Sequence, residues 1–321
     1  MTQPPPTVTL PYFRVEGPLT AEGINELIAT KGQLSVQSTG YTGFVPKGIN
    51  AVGAPDQWSN NINGTGVLVG IIDSGVGAHP DLQGKVILSR TYTGETGPPQ
   101  EAHATHVAGT IAANGLIRGV AYNARLASYR ALDNTGSGSI DNIIKAVFQA
   151  IADGCHVINL SLGGTYNYPP LASAMQAAYN AGVVIVAAAG NSGDNNNFTN
   201  EYSYPGDYPT VQCVGAADYR GTGTVPATFT NSNPQVDCCS QGVYVLSTVP
   251  GTQYAYMSGT SMATPHISGM AALLIQQYRA QRRTYTTQQI YDALNKLCKD
   301  IYLPGIDNTS GRGFATFNSQ L

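Results

Sequence analysis

Two periods of apolar residues alternate along this chain. Short, continuous runs rich in β-branched residues occupy 67–73, 157–160, 183–187 and 211–216, and each closes in a polar or glycine-containing turn. Runs of this length predict strands buried on both faces of a parallel sheet. Between them the spacing becomes helical: over 139–151, apolar residues at 140, 143, 144, 147 and 151 fall on one face. Residues 171–180 form a second helical segment, and a long apolar helix is predicted after 258–266. The last helix begins at Thr286-Thr-Gln-Gln289, a capping box, and buries Ile290, Ala293, Leu294 and Leu297. This alternation predicts an α/β fold with a mainly parallel central sheet and helices on both faces. No internal repeat interrupts the order.

Length and composition narrow the picture to one sizeable domain. The 321 residues can bury a large core, and α/β units of this size commonly stay single. Charged residues make up only 11%, against 37 glycines and 19 tyrosines, so the chain reads as compact and loop-rich. A net charge of −3 with no basic cluster leaves no footprint for nucleic acid. No apolar run reaches the ~18 residues that would suggest a membrane span. The opening Met1-Thr-Gln-Pro-Pro-Pro-Thr7 also lacks the basic start and apolar stretch of a signal peptide. Cys155, Cys213, Cys238, Cys239 and Cys298 are odd in number and contain no CxxC pair, which suits reduced thiols. A cytoplasmic location is the expectation.

Candidate chemistry sits where strands end and helices begin. Ser258-Gly-Thr-Ser-Met-Ala-Thr-Pro-His266 presents Ser261 in a glycine-flanked turn, where the positive end of the following helix would face an oxyanion. Alone, the stretch reads equally as an ordinary helix start capped by Thr260 or Ser261. The run at 67–73 ends in Asp73-Ser-Gly75, at the sheet edge where open α/β folds hold ligands. An isolated acid there is also a common turn residue. His103 opens a helical segment and faces a cleft. His106, one turn further beside Val107 and Ile111, reads as a buried structural histidine, and the pair has no neighbouring ligands that would make a metal site.

Taken together, Asp73-Ser-Gly75, His103-Ala-Thr-His-Val-Ala-Gly-Thr110 and Gly259-Thr-Ser-Met-Ala-Thr-Pro-His266 resemble the three active-site signatures of subtilisin-like serine proteases, in that family's chain order. The similarity runs from about Val45 to Ala315. It implies the family's three-layer αβα architecture and acyl transfer on protein or peptide substrates. Ser261 would be the nucleophile, His103 the general base and Asp73 the group orienting the imidazole, with no cofactor in the chemistry. Asn191 resembles the family's oxyanion asparagine, although alone it reads as a turn residue. Gly136, Ser137 and Gly138, with Ser161, Leu162 and Gly163, look like the edges that pair with substrate backbone. Ala188 and Gly190 join them in the implied cleft. Ser203 matches the floor of the first specificity pocket, and a small neutral floor implies large apolar or aromatic side chains. Two rival classes are a processing protease for one precursor, which shares the triad, and a catalytically silent binding protein. Family analogy also allows a homodimer.

The resemblance divides the chain into a peptidase domain, 45–321, and an N-terminal extension, 1–44. Intracellular subtilisins carry a brief extension with a Leu-Ile-Pro-Tyr element over the cleft, and Leu10-Pro11-Tyr12-Phe13 looks like a variant of it. Proline there would bend the strand and remove a donor near the scissile position. The extension is therefore expected to inhibit in cis until cut before Val45, whereas its composition alone also suits a disordered tail. Departures from the family pattern concern the metal. Asn114-Gly-Leu-Ile-Arg118 occupies the space of a longer calcium loop, leaving Asp81 as a matching ligand of a site that needs six or more oxygens. Weaker cation sites around 194–208 stay open. Ala104 replaces a usual glycine, and Cys238-Cys-Ser-Gln-Gly242 stands where an Ala-Pro-Gly turn is usual.

Overall fold

The computed structural model describes residues 6–9, 13–14, 19–31, 43–221 and 223–319. The described part of the extension supplies β1 (Thr7–Thr9), β2 (Phe13–Arg14) and α1 (Ala21–Lys31). Two short helices, α2 (Lys47–Ala51) and α3 (Ala54–Ser59), lead into the alternating part. It runs β3 (Leu68–Asp73), β4 (Val86–Thr91), α4 (His103–Ala112), β5 (Arg125–Arg130), β6 (Ser137–Ser139), α5 (Ile140–Ala152), β7 (Val157–Leu160), α6 (Pro169–Asn180) and β8 (Val184–Ala188). It continues with β9 (Gln212–Tyr219), β10 (Thr224–Pro226), β11 (Cys238–Gln241), β12 (Val245–Thr248), β13 (Tyr254–Ser258), α7 (Thr260–Ala280), α8 (Thr287–Lys296), β14 (Cys298–Lys299) and β15 (Phe314–Ala315).

Ten strands form one sheet in the order β14-β15-β11-β9-β8-β7-β3-β5-β4, with β10 on β9. The ladder from β4 to β15 is parallel, and only β10 and β14 pair antiparallel. Side chains alternate between its two faces. Val69, Ile71, Val184 and Val186 enter a core shared with α4, α7 and α8, while Ile72, Ile185 and Ala187 enter a second core under α5 and α6. Both faces are thus covered, as continuous apolar strands require. No helix among the described residues is long and apolar enough to cross a membrane.

Element boundaries differ from the sequence reading for local reasons. β9 runs past 216 to Tyr219 because β10 folds back on its end, with Thr224 opposite Tyr219. α6 starts at Pro169, since the first turn of a helix does not use the N–H that proline lacks. Ser139 caps α5 by accepting from Asp141 N–H at 3.1 Å. Thr286 and Gln289 form the expected capping box of α8. Between β3 and β7 the winding reverses direction, so a crevice opens at their C-terminal ends.

Candidate active site

Asp73 is the last residue of β3 and His103 the first of α4, and neither has any solvent exposure. His103 Nδ1 donates to Asp73 Oδ2 at 2.8 Å and lies 3.0 Å from Oδ1, which also accepts from Ser74 N–H at 2.6 Å. A buried carboxylate can only accept, so Nδ1 carries the proton and Nε2 is the basic atom. Burial is the largest influence on this imidazole and lowers its pKa, but Asp73 and then Glu101 outweigh it, and the net direction is upward. His106 differs. Its Nε2 faces the carbonyls of Val245 and Ala255 at 2.9 and 3.1 Å, and burial pushes its pKa down to about 3. It is a neutral structural ring, as the sequence suggested.

Ser261 lies in the first turn of α7, fully buried, and its Oγ donates to the Ser161 carbonyl at 3.0 Å. Pro265 sits four residues further along the helix and has no N–H for the Ser261 carbonyl. The hydroxyl of Ser161 supplies the missing donor at 2.8 Å. Ser161 is held in turn by Asn159 Nδ2 at 2.9 Å, and Asn159 Oδ1 accepts from Ser268 at 2.8 Å. On the other side, Asn191 Oδ1 accepts from Thr260 N–H at 2.8 Å and Thr260 Oγ1 at 2.9 Å. With the amide oxygen tied twice to Thr260, the Nδ2 donor is directed the other way. Gly190 makes the turn with φ of 104°, and a Cβ there would collide with Asn231.

One of the expected substrate edges already carries a strand. β1 pairs antiparallel with β6, placing Thr7 opposite Ser139, Val8 opposite Gly138 and Thr9 opposite Ser137. Val8 is buried in the core under α5, and its Cγ2 lies 3.6 Å from where a Cβ on Gly164 would stand. Gly136 turns the chain into β6 with φ of 75°. β2 pairs with β13, placing Phe13 opposite Ser258, three residues before Ser261. The extension therefore meets the walls on both sides of the candidate nucleophile. Leu10, Pro11 and Tyr12 lie outside the described residues, and of Phe13 only the backbone pairing is described.

Ser203 is buried beneath Gly163 and Gly190, where a Cβ on Gly163 would collide with its hydroxyl. Leu162 is buried in the core, and Ala188 ends β8 beside Gly206. Buried Asp207 accepts from the Ser203 N–H and, at 3.1 Å, from Asn233 Nδ2, and burial raises its pKa to about 6. An acid thus stands directly behind a floor expected to be uncharged. Asp81 holds the neighbouring short turn. Its carboxylate accepts from Leu116 N–H at 3.1 Å, Ile117 N–H at 2.9 Å and Tyr254 OH at 3.0 Å. Through these bonds Asp81 anchors the short 114–118 turn.

Glu101 carries no signature in the motifs, although an acid just before a helix start is itself a capping signal. Its Oε2 accepts from His103 N–H at 2.6 Å and from Ser74 Oγ at 2.8 Å, because Ala102 at the N-cap offers no side-chain acceptor. Atoms of Asp73, Glu101 and His103 come within 4.8 Å of one another, a proximity these bonds account for. All five cysteines are free, and only Cys298 is not fully buried.

Comparison with known proteins gives a family and several relatives. Residues 64–313 match the family described as the subtilase family, peptidase S8. The chain is 40% identical over 264 residues to an intracellular serine protease of Paenibacillus polymyxa, covering 78% of this chain and 79% of that protein. It is 38% identical over 241 residues to the major intracellular serine protease of Bacillus subtilis, covering 72% and 75%. Subtilisin E of Bacillus subtilis is 39% identical over 260 residues, covering 79% and 66%.

Proposed function

This chain belongs to the subtilase family and is a subtilisin-like serine endopeptidase, and on that premise we propose that Asp73, His103 and Ser261 form its triad, closed off by its own N-terminal extension. Ser261 attacks a peptide carbonyl after its Oγ turns from the Ser161 carbonyl toward His103. His103 takes the proton at Nε2 and later returns it to the leaving amine, while Asp73 holds the ring and stabilises the imidazolium. Asn191 Nδ2 and the Ser261 N–H donate to the oxyanion. Substrate joins β6 as an antiparallel strand, in the position that β1 occupies. Ser203 supports a preference for apolar or aromatic side chains at the residue before the cut. The two relatives named as intracellular support action in the cytoplasm.

The observation that carries the inhibitory reading is the pairing of Thr7–Thr9 with Ser137–Ser139. Added strands gain affinity from main-chain bonds, so a tethered segment in that place competes with any substrate. A form starting near Pro46 is expected to hydrolyse a peptide substrate at least about tenfold faster than the full chain. Val8→Asp in the full chain should move the rate the same way, because burial of a valine contributes about 1.5–3 kcal/mol to holding β1 down. Equal rates for all three proteins would rule the inhibitory role out.

A further inference from the structure

We propose that Glu101 is a positioning residue for His103, a second carboxylate that fixes the start of α4 and adds its negative charge to that of Asp73 at the imidazole. The inference rests on the serine-protease reading of the site. Three bonds define the arrangement: Glu101 to His103 N–H, Glu101 to Ser74 Oγ, and Ser74 N–H to Asp73. Ser74 therefore links the two acids, and each acid grips a different part of the same histidine. Asp73 holds the ring and Glu101 the backbone.

The surrounding elements leave these two acids as the charges closest to the ring. α4 packs against α7, β12, β3, β5 and the turn at 80–82. From α4 itself comes His106 and from α7 His266, both neutral near pH 7, with pKa values lowered by burial to about 3 and about 4. β12 contributes no charged residue. Arg130 on β5 is engaged by Glu95, Asn134 and the Gly97 carbonyl, and Asp81 by its own N–H donors. Glu101 is half-buried, so its charge acts on His103 through less water than a surface acid would.

Two substitutions separate charge from support. Glu101→Gln keeps an oxygen that can accept from His103 N–H and Ser74, whereas Glu101→Ala removes acceptor and charge together. The readout is the rate constant for labelling Ser261 with an organophosphonate, measured across pH on the full chain and on the form starting near Pro46. Its acid limb reports loss of the proton from His103. Glu101→Gln is expected to lower the midpoint of that limb by about half to one pH unit, as loss of a nearby negative charge disfavours the imidazolium. Glu101→Ala should also lower the plateau about tenfold, through a misplaced base. A residue that merely supports the fold would change melting temperature and plateau but leave the midpoint alone. An unmoved midpoint in Glu101→Gln, with Ser261 still labelled, overturns the proposal. A wild-type sequence that takes no label at Ser261 either as the full chain or as the form starting near Pro46 overturns the protease reading and this inference with it.

Discussion

At the residue scale, the geometry around Ser261 follows from a proline. Pro265 frees the Ser261 carbonyl from its helical bond, and Ser161 takes it up, which ties the end of β7 to the start of α7. The candidate nucleophile is thereby positioned from below by Ser161, Asn159 and Ser268, and from the side by Thr260 on Asn191. Asn191→Ala is expected to cost about a hundred- to thousandfold in turnover with little change in KM, a magnitude carried over from the same deletion in subtilisin itself. Steady-state kinetics on a peptide substrate checks it. Asp73, His103, Ser261 and Asn191 were legible because each stands inside a short motif with a defined local role. Glu101 and Asp207 were not. Glu101 meets Ser74 across 27 positions of sequence, and Asp207 acquires its character from burial beside Asn233. The hold of Asp81 on the 114–118 turn was not legible either, since backbone donors leave no trace in residue type.

At the element scale, amphipathic spacing identified α5 and α8, and the continuous apolar runs identified β3, β7, β8 and β9 to within a few residues. Such elements advertise themselves because burial on one or both faces constrains every position. The capping box of α8 makes a direct test of local coding. Thr286→Ala removes the acceptor for Gln289 N–H at 3.2 Å and should cost about 1 kcal/mol, lowering the melting temperature by roughly 2 °C while kcat/KM stays unchanged. β1 and β2 were invisible by the same logic. A two- or three-residue strand added at an edge takes its conformation from its partner, and Thr7-Val-Thr9 within a proline-rich segment has no period of its own. α1 was overlooked although Ile24, Leu27 and Ile28 carry helical spacing. Ile24 is fully buried with Ala113, Ile117, Leu246 and Tyr254, which gives the extension a second hold outside the cleft.

At the scale of the whole molecule, the two cores on either side of the sheet fix the ends of β3, β7 and β8 relative to α4 and α7, and those ends carry every group of the candidate site. Asp73, Ser161 and Asn191 come from the sheet side of the crevice, while His103 and Ser261 come from helix starts packed on one face. Fold class followed from the alternation of strand and helix. The reach of the extension along both walls required the coordinates. The account stands most directly on Ser261. Peptide mapping by mass spectrometry, after the form starting near Pro46 has reacted with an organophosphonate, is predicted to find one adduct, on Ser261, and none in Ser261→Ala, which also loses peptidase activity. An adduct on another residue, or peptide hydrolysis by Ser261→Ala at the wild-type rate, would contradict it.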